Sequence, residues 1–378
     1  MKITIAMGFF LPMPPDAGGA TEKSWHRLAL EFGRRGHEVT IISRRWSGWP
    51  NVETRDGVRH VRLDGYDHTS RLVRNLWRDF CWSLRVKRAL PPADVTVVNS
   101  VILPLWLGWH RGRAGKLVLM PGRMPKGQFR LYRRVDRVIV VSSPVQTAIL
   151  AENPRLAPVT KIYGYPIDWT ALAEPRTATA GAPVKIGFIG RINREKGLDL
   201  LVESVLLLAG RSDLPPWNLV LCGPRDIAQG GSGEIYAAGL ERRLAAALPR
   251  DRFALRAPVF AAERLAKLYR EIDVFCYPSL ATRGETFGVA VAEAMAAGAV
   301  PVVSQLPCFA DFVHAGENGE VFDHTAADAP VRLADALGHL VADAPRRARL
   351  AANARAAVRN YDFPLYAERL LADFSELR

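Results

Sequence analysis

The chain has 378 residues, 24% of them charged and 49% hydrophobic, and this composition excludes disorder and makes two ordinary cores more natural than one. The longest strongly apolar run, VILPLWLGW at 101–109, is far too short for a membrane span. The net charge of +13 is uneven: residues 1–170 hold 27 Lys and Arg against 13 Asp and Glu, and the remainder hold 24 against 25. A basic first half points to phosphate-rich partners such as anionic lipid, a lipid-linked diphosphate or nucleic acid; the bland alternative is a well-solvated, arginine-rich surface. The N-terminus MKITIAMGFF lacks the apolar core and cleavage site of a signal peptide. Cys81, Cys222, Cys276 and Cys308 have no paired spacing and read as reduced thiols, so a cytoplasmic location is expected, with no metal site.

In chain order, KITIAMGFF reads as a strand, PMPPDAGG as turn chemistry, and ATEKSWHRLALEFGRRG as a helix with Trp25, Leu28, Ala29 and Phe32 at helical spacing. HEVTIIS returns as a strand after Gly36, a suitable C-cap. Further strands are expected in ADVTVVNS (93–100), KLVLMPG (116–122) and DRVIVVSS (136–143). TALAEPRTATAGAPV then has no periodicity and reads as a linker. The alternation restarts with KIGFIG and runs through WNLVLCG, FALRAPV, DVFCYPS and AVPVVS, with helical segments between. Two parallel-sheet α/β domains follow, and such sheets take ligands at the carboxyl ends of their strands, in a cleft between the two. The expected divisions are 1–168, a linker at 169–183, 184–360, and a C-terminal helix at 361–378 packing back on the first domain.

The residues at those strand ends carry the chemistry. GRINREKG (190–197) places Arg191 and Lys196 just ahead of a helix N-terminus, an arrangement suited to a diphosphate; a solvated turn is the alternative. LCGPRD puts Gly223 and Pro224 where backbone can lie against a planar base. GETFGVAVAEAMAAGAVPVV (284–303) is almost wholly small and apolar yet contains Glu285 and Glu293. A buried, unpaired carboxylate costs several kcal/mol, so either both acids reach solvent or they face a cleft where something pairs with them; at a strand-end cleft, sugar hydroxyls would satisfy both. Glu285 lies in the loop, a helix is expected from about Phe287 with the N–H groups of Phe287, Gly288 and Val289 as its first donors, and Glu293 lies two turns in.

Two acids with seven residues between them, together with GRxxxxKG upstream, closely resemble the signature of the family 4 retaining glycosyltransferases, whose fold is GT-B: two Rossmann-like domains facing a central cleft. The resemblance extends to DAGGATEKSWHRLALEFGRRGHEVTIIS, LAKLYREIDVFCYPSL and GENGEVF (316–322). It implies a nucleoside-diphosphate sugar donor of UDP or GDP type, with no cofactor. Arg191 and Lys196 would neutralise the diphosphate. Glu285 would bind the transferred sugar, beside Thr286, Phe287, Gly288 and Val289, and Glu293 would bind the ribose. Gly18 and Gly19 would let the first domain's loop approach the phosphates. The acceptor would be a sugar, a lipid-linked species or a polysaccharide in cell-envelope biosynthesis, bound on the first domain.

There is no Asp-x-Asp pair in the chain, so fixed cations and a helix N-terminus would stabilise the leaving group without a metal. Two departures stand out. Pro121 and Gly122 occupy the place where many relatives have a histidine, and LPCFAD replaces a Gly-Gly-x-x-Glu turn. Arg123 and Lys126 are candidates for an anionic acceptor, or else plain surface charges. A GT-B nucleotide-sugar epimerase or a binding-only relative is the rival reading, and nucleic-acid binding ranks last because it leaves the acid pair without a purpose. RLVRNLWRDFCWSLRVKRAL (71–90) aligns Val73, Leu76, Trp77, Phe80 and Leu84 along one helical face beside arginines. That suits a helix lying in a lipid headgroup layer, at the inner face of the cell membrane, and equally suits an ordinary core-facing stripe.

Overall fold

The computed structural model describes residues 1–14, 19–174, 181–282 and 284–377. They form two compact units, one of Met1–Pro166 with Phe363–Arg378 and the other of Ile167–Asp362. In the first unit, β1 (Lys2–Ala6), α1 (Ala20–Arg34), β2 (Glu38–Arg44), β3 (Val52–Arg55), β4 (Val58–Leu63), α2 (Leu72–Ala89), β5 (Val95–Val98), α3 (Leu103–Trp109), β6 (Lys116–Leu119), β7 (Arg137–Val140), α4 (Ser143–Glu152) and β8 (Thr160–Ile162) follow in order. The sheet order is β3-β4-β2-β1-β5-β6-β7-β8, parallel except for the β3–β4 pair. VTVV and RVIV are buried along their whole length, as expected of parallel strands covered on both faces. The β3–β4 hairpin turns through Asp56 and Gly57, both at positive φ; this Asp-Gly signal lies in a stretch the sequence reading left unassigned.

Trp25, Leu28, Ala29 and Phe32 of α1 are buried as their spacing predicts. The inward face of α2 consists of Asp79, Trp82, Ser83 and Val86. Trp82 Nε1 donates to the Met7 carbonyl, and Asp79 Oδ2 accepts the backbone N–H groups of Val101 and Ile102 at the start of α3. Burial pushes the Asp79 carboxyl up to about 6, against those two hydrogen bonds. These anchors turn Leu72, Val73, Leu76 and Trp77 outward, and the core-facing alternative for that stripe does not hold for its first two turns. Phe80 and Leu84, further along, are half-buried.

The second unit opens with α5 (Trp169–Leu172), a helix at the start of the stretch expected to be linker. Trp169 is held there by donation from its Nε1 to the Arg355 carbonyl, and Asp362 accepts from Thr170. Residues 175–180, the middle of that linker, lie outside the described residues. Then come β9 (Val184–Ile189), α6 (Leu198–Ala209), β10 (Trp217–Cys222), α7 (Glu234–Ala245), β11 (Phe253–Arg256), α8 (Ala262–Arg270), β12 (Val274–Tyr277), α9 (Val289–Ala296), β13 (Val300–Ser304), β14 (Glu320–Phe322), α10 (Ala329–Ala342) and α11 (Ala344–Ala357). This sheet is parallel throughout, in the order β11-β10-β9-β12-β13-β14. The chain builds outward from β9 in one direction and then restarts at β12 on its other side. The carboxyl ends of β9 and β12 therefore flank the switch point, where open α/β sheets leave a crevice.

The last helix, α12 (Phe363–Glu376), belongs to the first unit. Tyr366, Leu370 and Phe374 are fully buried in that unit's core, and Phe374 packs edge-on against Phe32. Asp373, 2% exposed, pairs with Arg137 of β7 at 2.9 Å and with Lys161 of β8. Removing one partner of a buried ion pair strands the other charge, at a cost of about 3 kcal/mol. Asp373→Ala is accordingly expected to lower the unfolding free energy of the first unit, read from denaturant titrations, by that amount. An unchanged midpoint would show that α12 is held by its apolar face alone.

Candidate active site

Three loops leave the carboxyl edge of the second sheet and are tied together by their own backbone. After β9, Ile192 N donates to the Pro224 carbonyl and Ser232 N to the Ile192 carbonyl, joining this loop to the one after β10. Asn193 Nδ2 donates to the Gly230 carbonyl, and the Asn193 carboxamide oxygen caps Glu195 N. On the other side, Leu280 N donates to the Glu195 carbonyl, joining the β9 loop to the loop after β12. Both seams require glycine. A Cβ on Gly197, at φ +69°, would lie 1.9 Å from the Pro278 carbonyl oxygen, and one on Gly223 would lie 1.7 Å from that of Gly190. Gly223, read from sequence as a place for a base, is thus already in contact with the β9 loop.

This stitching brings Lys196 and Glu285 together. Lys196 Nζ lies 2.6 Å from Glu285 Oε2, with side-chain exposures of 6% and 10%. Ser279 Oγ donates to the same oxygen at 3.1 Å, and Lys196 Nζ lies 5.3 Å from the Tyr277 ring centre. Arg191 is exposed, pairs with Glu195 at 2.7 Å, and lies against the backbone of Gly230. Exposed pairs of this kind contribute at most about 1 kcal/mol, so Arg191 can exchange Glu195 for another anion at little cost.

Glu293 accepts a 2.8 Å hydrogen bond from the Tyr269 hydroxyl. The expectation that ligand hydroxyls alone would satisfy the two acids is therefore corrected: protein donors already meet both. The helix start is also corrected. Gly288, at φ 91°, cannot continue a right-handed helix and serves as the N-cap, so α9 begins at Val289, and Glu293 lies one turn in rather than two. Phe287 is buried, stacked on Phe312, and Thr286 is half-buried beside it.

In the first unit, Gly19 is the N-cap of α1, at φ 93°, with the Glu22 carboxylate folded over it. Burial raises the Glu22 carboxyl, while its own backbone N–H and the charge of Arg123 act the other way. Gly18 lies outside the described residues. Arg123 and Lys126 are exposed in the loop after β6. Sequence reasoning missed Glu22, Tyr269, Tyr277 and Ser279. Tyr277 and Ser279 stand in YPS, at the end of an apolar strand, and that was the available signal. Among the described residues, no three His, Cys, Asp or Glu side chains form a metal-binding group, and no helix is long and apolar enough to cross a membrane.

Residues 174–357 match the family model described as glycosyl transferases group 1. The chain is 29% identical to the D-inositol 3-phosphate glycosyltransferase of Xylanimonas cellulosilytica, over 97% of this chain and 93% of that protein. It is 30% identical to the lipopolysaccharide core biosynthesis mannosyltransferase LpsB of Rhizobium meliloti, over 65% of this chain and 67% of LpsB. The structure of Anabaena HepE in complex with UDP and glucose superposes with a TM-score of 0.72 at 17% identity, covering 100% of both chains. The family match together with the 30% identity to LpsB over 67% of its length shows the family, and the two Rossmann-like units with the full-length structural likeness show the fold: the chain belongs to the group 1 glycosyl transferases and has the GT-B fold.

Proposed function

We propose that the chain is a retaining, metal-independent glycosyltransferase of family 4. In this reading it moves a hexose-type sugar from a UDP or GDP sugar to a lipid-linked, glycan or other small acceptor, in cell-envelope or polysaccharide biosynthesis. The observation that carries the reading is the buried Lys196–Glu285 pair at the switch point of the second sheet, with Arg191 beside it. A diphosphate there takes up the remaining donors of Lys196 and draws Arg191 from Glu195. Glu285, freed in part from Lys196, accepts hydroxyls of the transferred sugar, and Glu293 accepts those of the ribose. Charge that develops on the leaving diphosphate then meets cations already in place, the arrangement that contributes most to lowering such barriers. Retention follows from same-face transfer, in which the donor's own phosphate takes the acceptor proton and Glu285 orients the sugar without attacking it.

The first unit supplies the acceptor side in this reading. The X. cellulosilytica relative is named for an inositol phosphate acceptor, and Arg123 and Lys126 are suited to an anionic one. The outward face of α2 supports a lipid-borne acceptor reached from the cytoplasmic side. Leu72, Val73 and Trp77 are 70%, 80% and 65% exposed, and Trp109 at the end of α3 is 72% exposed. The Trp77, Phe80 and Trp106 rings link the two helices, and Arg71, Arg74 and Arg88 are exposed along α2. Anionic lipid adds about 1 kcal/mol for each basic residue held near the surface, and buried tryptophan adds apolar area.

Lys196→Ala is expected to reduce transfer roughly a hundredfold, as is Arg191→Ala, with EDTA leaving the wild-type rate unchanged. Steady-state assays with and without chelator check this, and strong dependence on added metal would overturn the mechanism. The wild type is expected to co-sediment with phosphatidylglycerol vesicles at low salt and to be released at high salt. Trp77→Ser with Val73→Ser should abolish that binding without changing nucleotide affinity. A wild type that stays in the supernatant at low salt would favour a soluble acceptor.

A further inference from the structure

An aromatic layer lies on one face of the second unit's sheet. Phe275 and Tyr277, two apart on β12, share that face. Tyr277 stacks on Phe188 of β9 with ring centres 5.5 Å apart and lies 6.0 Å from Phe275, and Tyr269 of α8 tilts against Phe275 at 5.9 Å. Two of these four rings carry a hydroxyl. Tyr269 Oη donates to Glu293 Oε2 at 2.8 Å, and the ring face of Tyr277 lies 5.3 Å from Lys196 Nζ, the partner of Glu285. Tyr269 and Tyr277 are 1% and 5% exposed, and burial holds both phenols well above their ordinary range, so they stay neutral donors.

The chemistry of α9 makes this pairing informative. Around Glu293 the helix reads VAVAEAMA, and Val291, Ala292, Ala294 and Met295 are buried. A hydrogen-bonded pair serving packing alone can be replaced by two apolar groups of the same shape at little cost. A carboxyl group has room for several hydrogen bonds, and the Tyr269 phenol holds one of its oxygens in place. Tyr277 turns its ring face toward Lys196 and so packs on the cation of the buried ion pair.

We infer that Tyr269 and Tyr277 are positioning residues. Tyr269 fixes the carboxylate of Glu293 for the nucleotide, and Tyr277 supports Lys196, and through it Glu285, for the sugar. This rests on the donor-site reading above. Neither tyrosine touches the donor; Tyr269 acts through Glu293 and Tyr277 through the Lys196–Glu285 pair, and so the two divide between affinity and turnover.

The test compares Tyr269→Phe, Tyr277→Leu, Glu293→Ala and the double variant Tyr269→Phe/Glu293→Ala. UDP and GDP affinity is read by calorimetry, donor KM and kcat by steady-state kinetics, and folding by thermal melting. Tyr269→Phe is expected to weaken nucleotide binding and raise donor KM roughly tenfold with kcat within about twofold, and Tyr277→Leu to lower kcat roughly tenfold at near wild-type nucleotide affinity. In the Glu293→Ala background, Tyr269→Phe should change affinity no further. A Tyr269→Phe variant that melts earlier but binds nucleotide normally, while Glu293→Ala binds weakly, overturns the tyrosine assignment alone. The same tenfold loss in both backgrounds also overturns it. Glu293→Ala binding as tightly as wild type overturns the donor-site reading and this assignment together.

Discussion

Lys196 and Glu285 lie 2.6 Å apart with little exposure, and much of the second unit's architecture serves that one contact. Two opposite charges removed from water attract strongly, but most of that attraction offsets the loss of hydration, so the pair by itself adds little to stability. Removing either member is another matter, because the remaining charge is then stranded in an apolar setting. The fold therefore has to deliver both together, and the two glycine seams do so. Gly197 lets the β9 loop press against Pro278, and Gly223 lets the β10 loop press against Gly190. A side chain at either position would move the loops apart by more than a hydrogen bond tolerates.

A satisfied ion pair at a strand-end crevice is also a sound resting state for a site that receives a charged ligand. Under the proposed reading, the arriving diphosphate and sugar exchange partners with Lys196 and Glu285 rather than meeting bare charges. The cation is held by its surroundings before the donor enters, so little reorganisation is needed as negative charge develops on the leaving group. Arg191 is the adaptable member. It is exposed and weakly paired, and it lies over the Gly230 backbone, where it can follow the phosphates. In the first unit a comparable logic orients α2. Two polar groups, Asp79 and the Trp82 indole, find backbone partners inside, and the apolar residues of the first two turns face out as a consequence.

Much of this was legible in the chain. Strand and helix alternation gave two α/β units, because buried parallel strands such as VTVV and VFCY are unbroken apolar runs and helices such as α1 carry a clear stripe. The β3–β4 hairpin was passed over because its strands are short and polar, although its Asp-Gly turn is a known signal. The two acids and two cations were visible as charges out of place in apolar or glycine-rich stretches. Their partners were not: the contacts of Lys196 with Glu285 and of Tyr269 with Glu293 join residues 89 and 24 positions apart, and periodicity reports only neighbours. The start of α9 was misplaced because Phe287 suits a helix by composition, whereas Gly288 at positive φ ends that possibility. The outward face of α2 was not decidable from its stripe alone, since the anchors that turn it, Met7, Val101 and Ile102, lie elsewhere in the chain.

The proposed function requires that this unit bind a nucleoside-diphosphate sugar and that the sugar be transferred with its configuration kept. The direct measurement is to incubate the wild-type protein, in chelator, with a panel of UDP, GDP and ADP sugars and candidate acceptors such as inositol phosphate. Released nucleoside diphosphate is followed by phosphorus NMR and the anomeric configuration of the product by proton NMR. Release of UDP or GDP from one donor and a product with that donor's anomeric configuration are expected. Inversion at the anomeric carbon, or no diphosphate released from any donor in the panel, would contradict the proposed function.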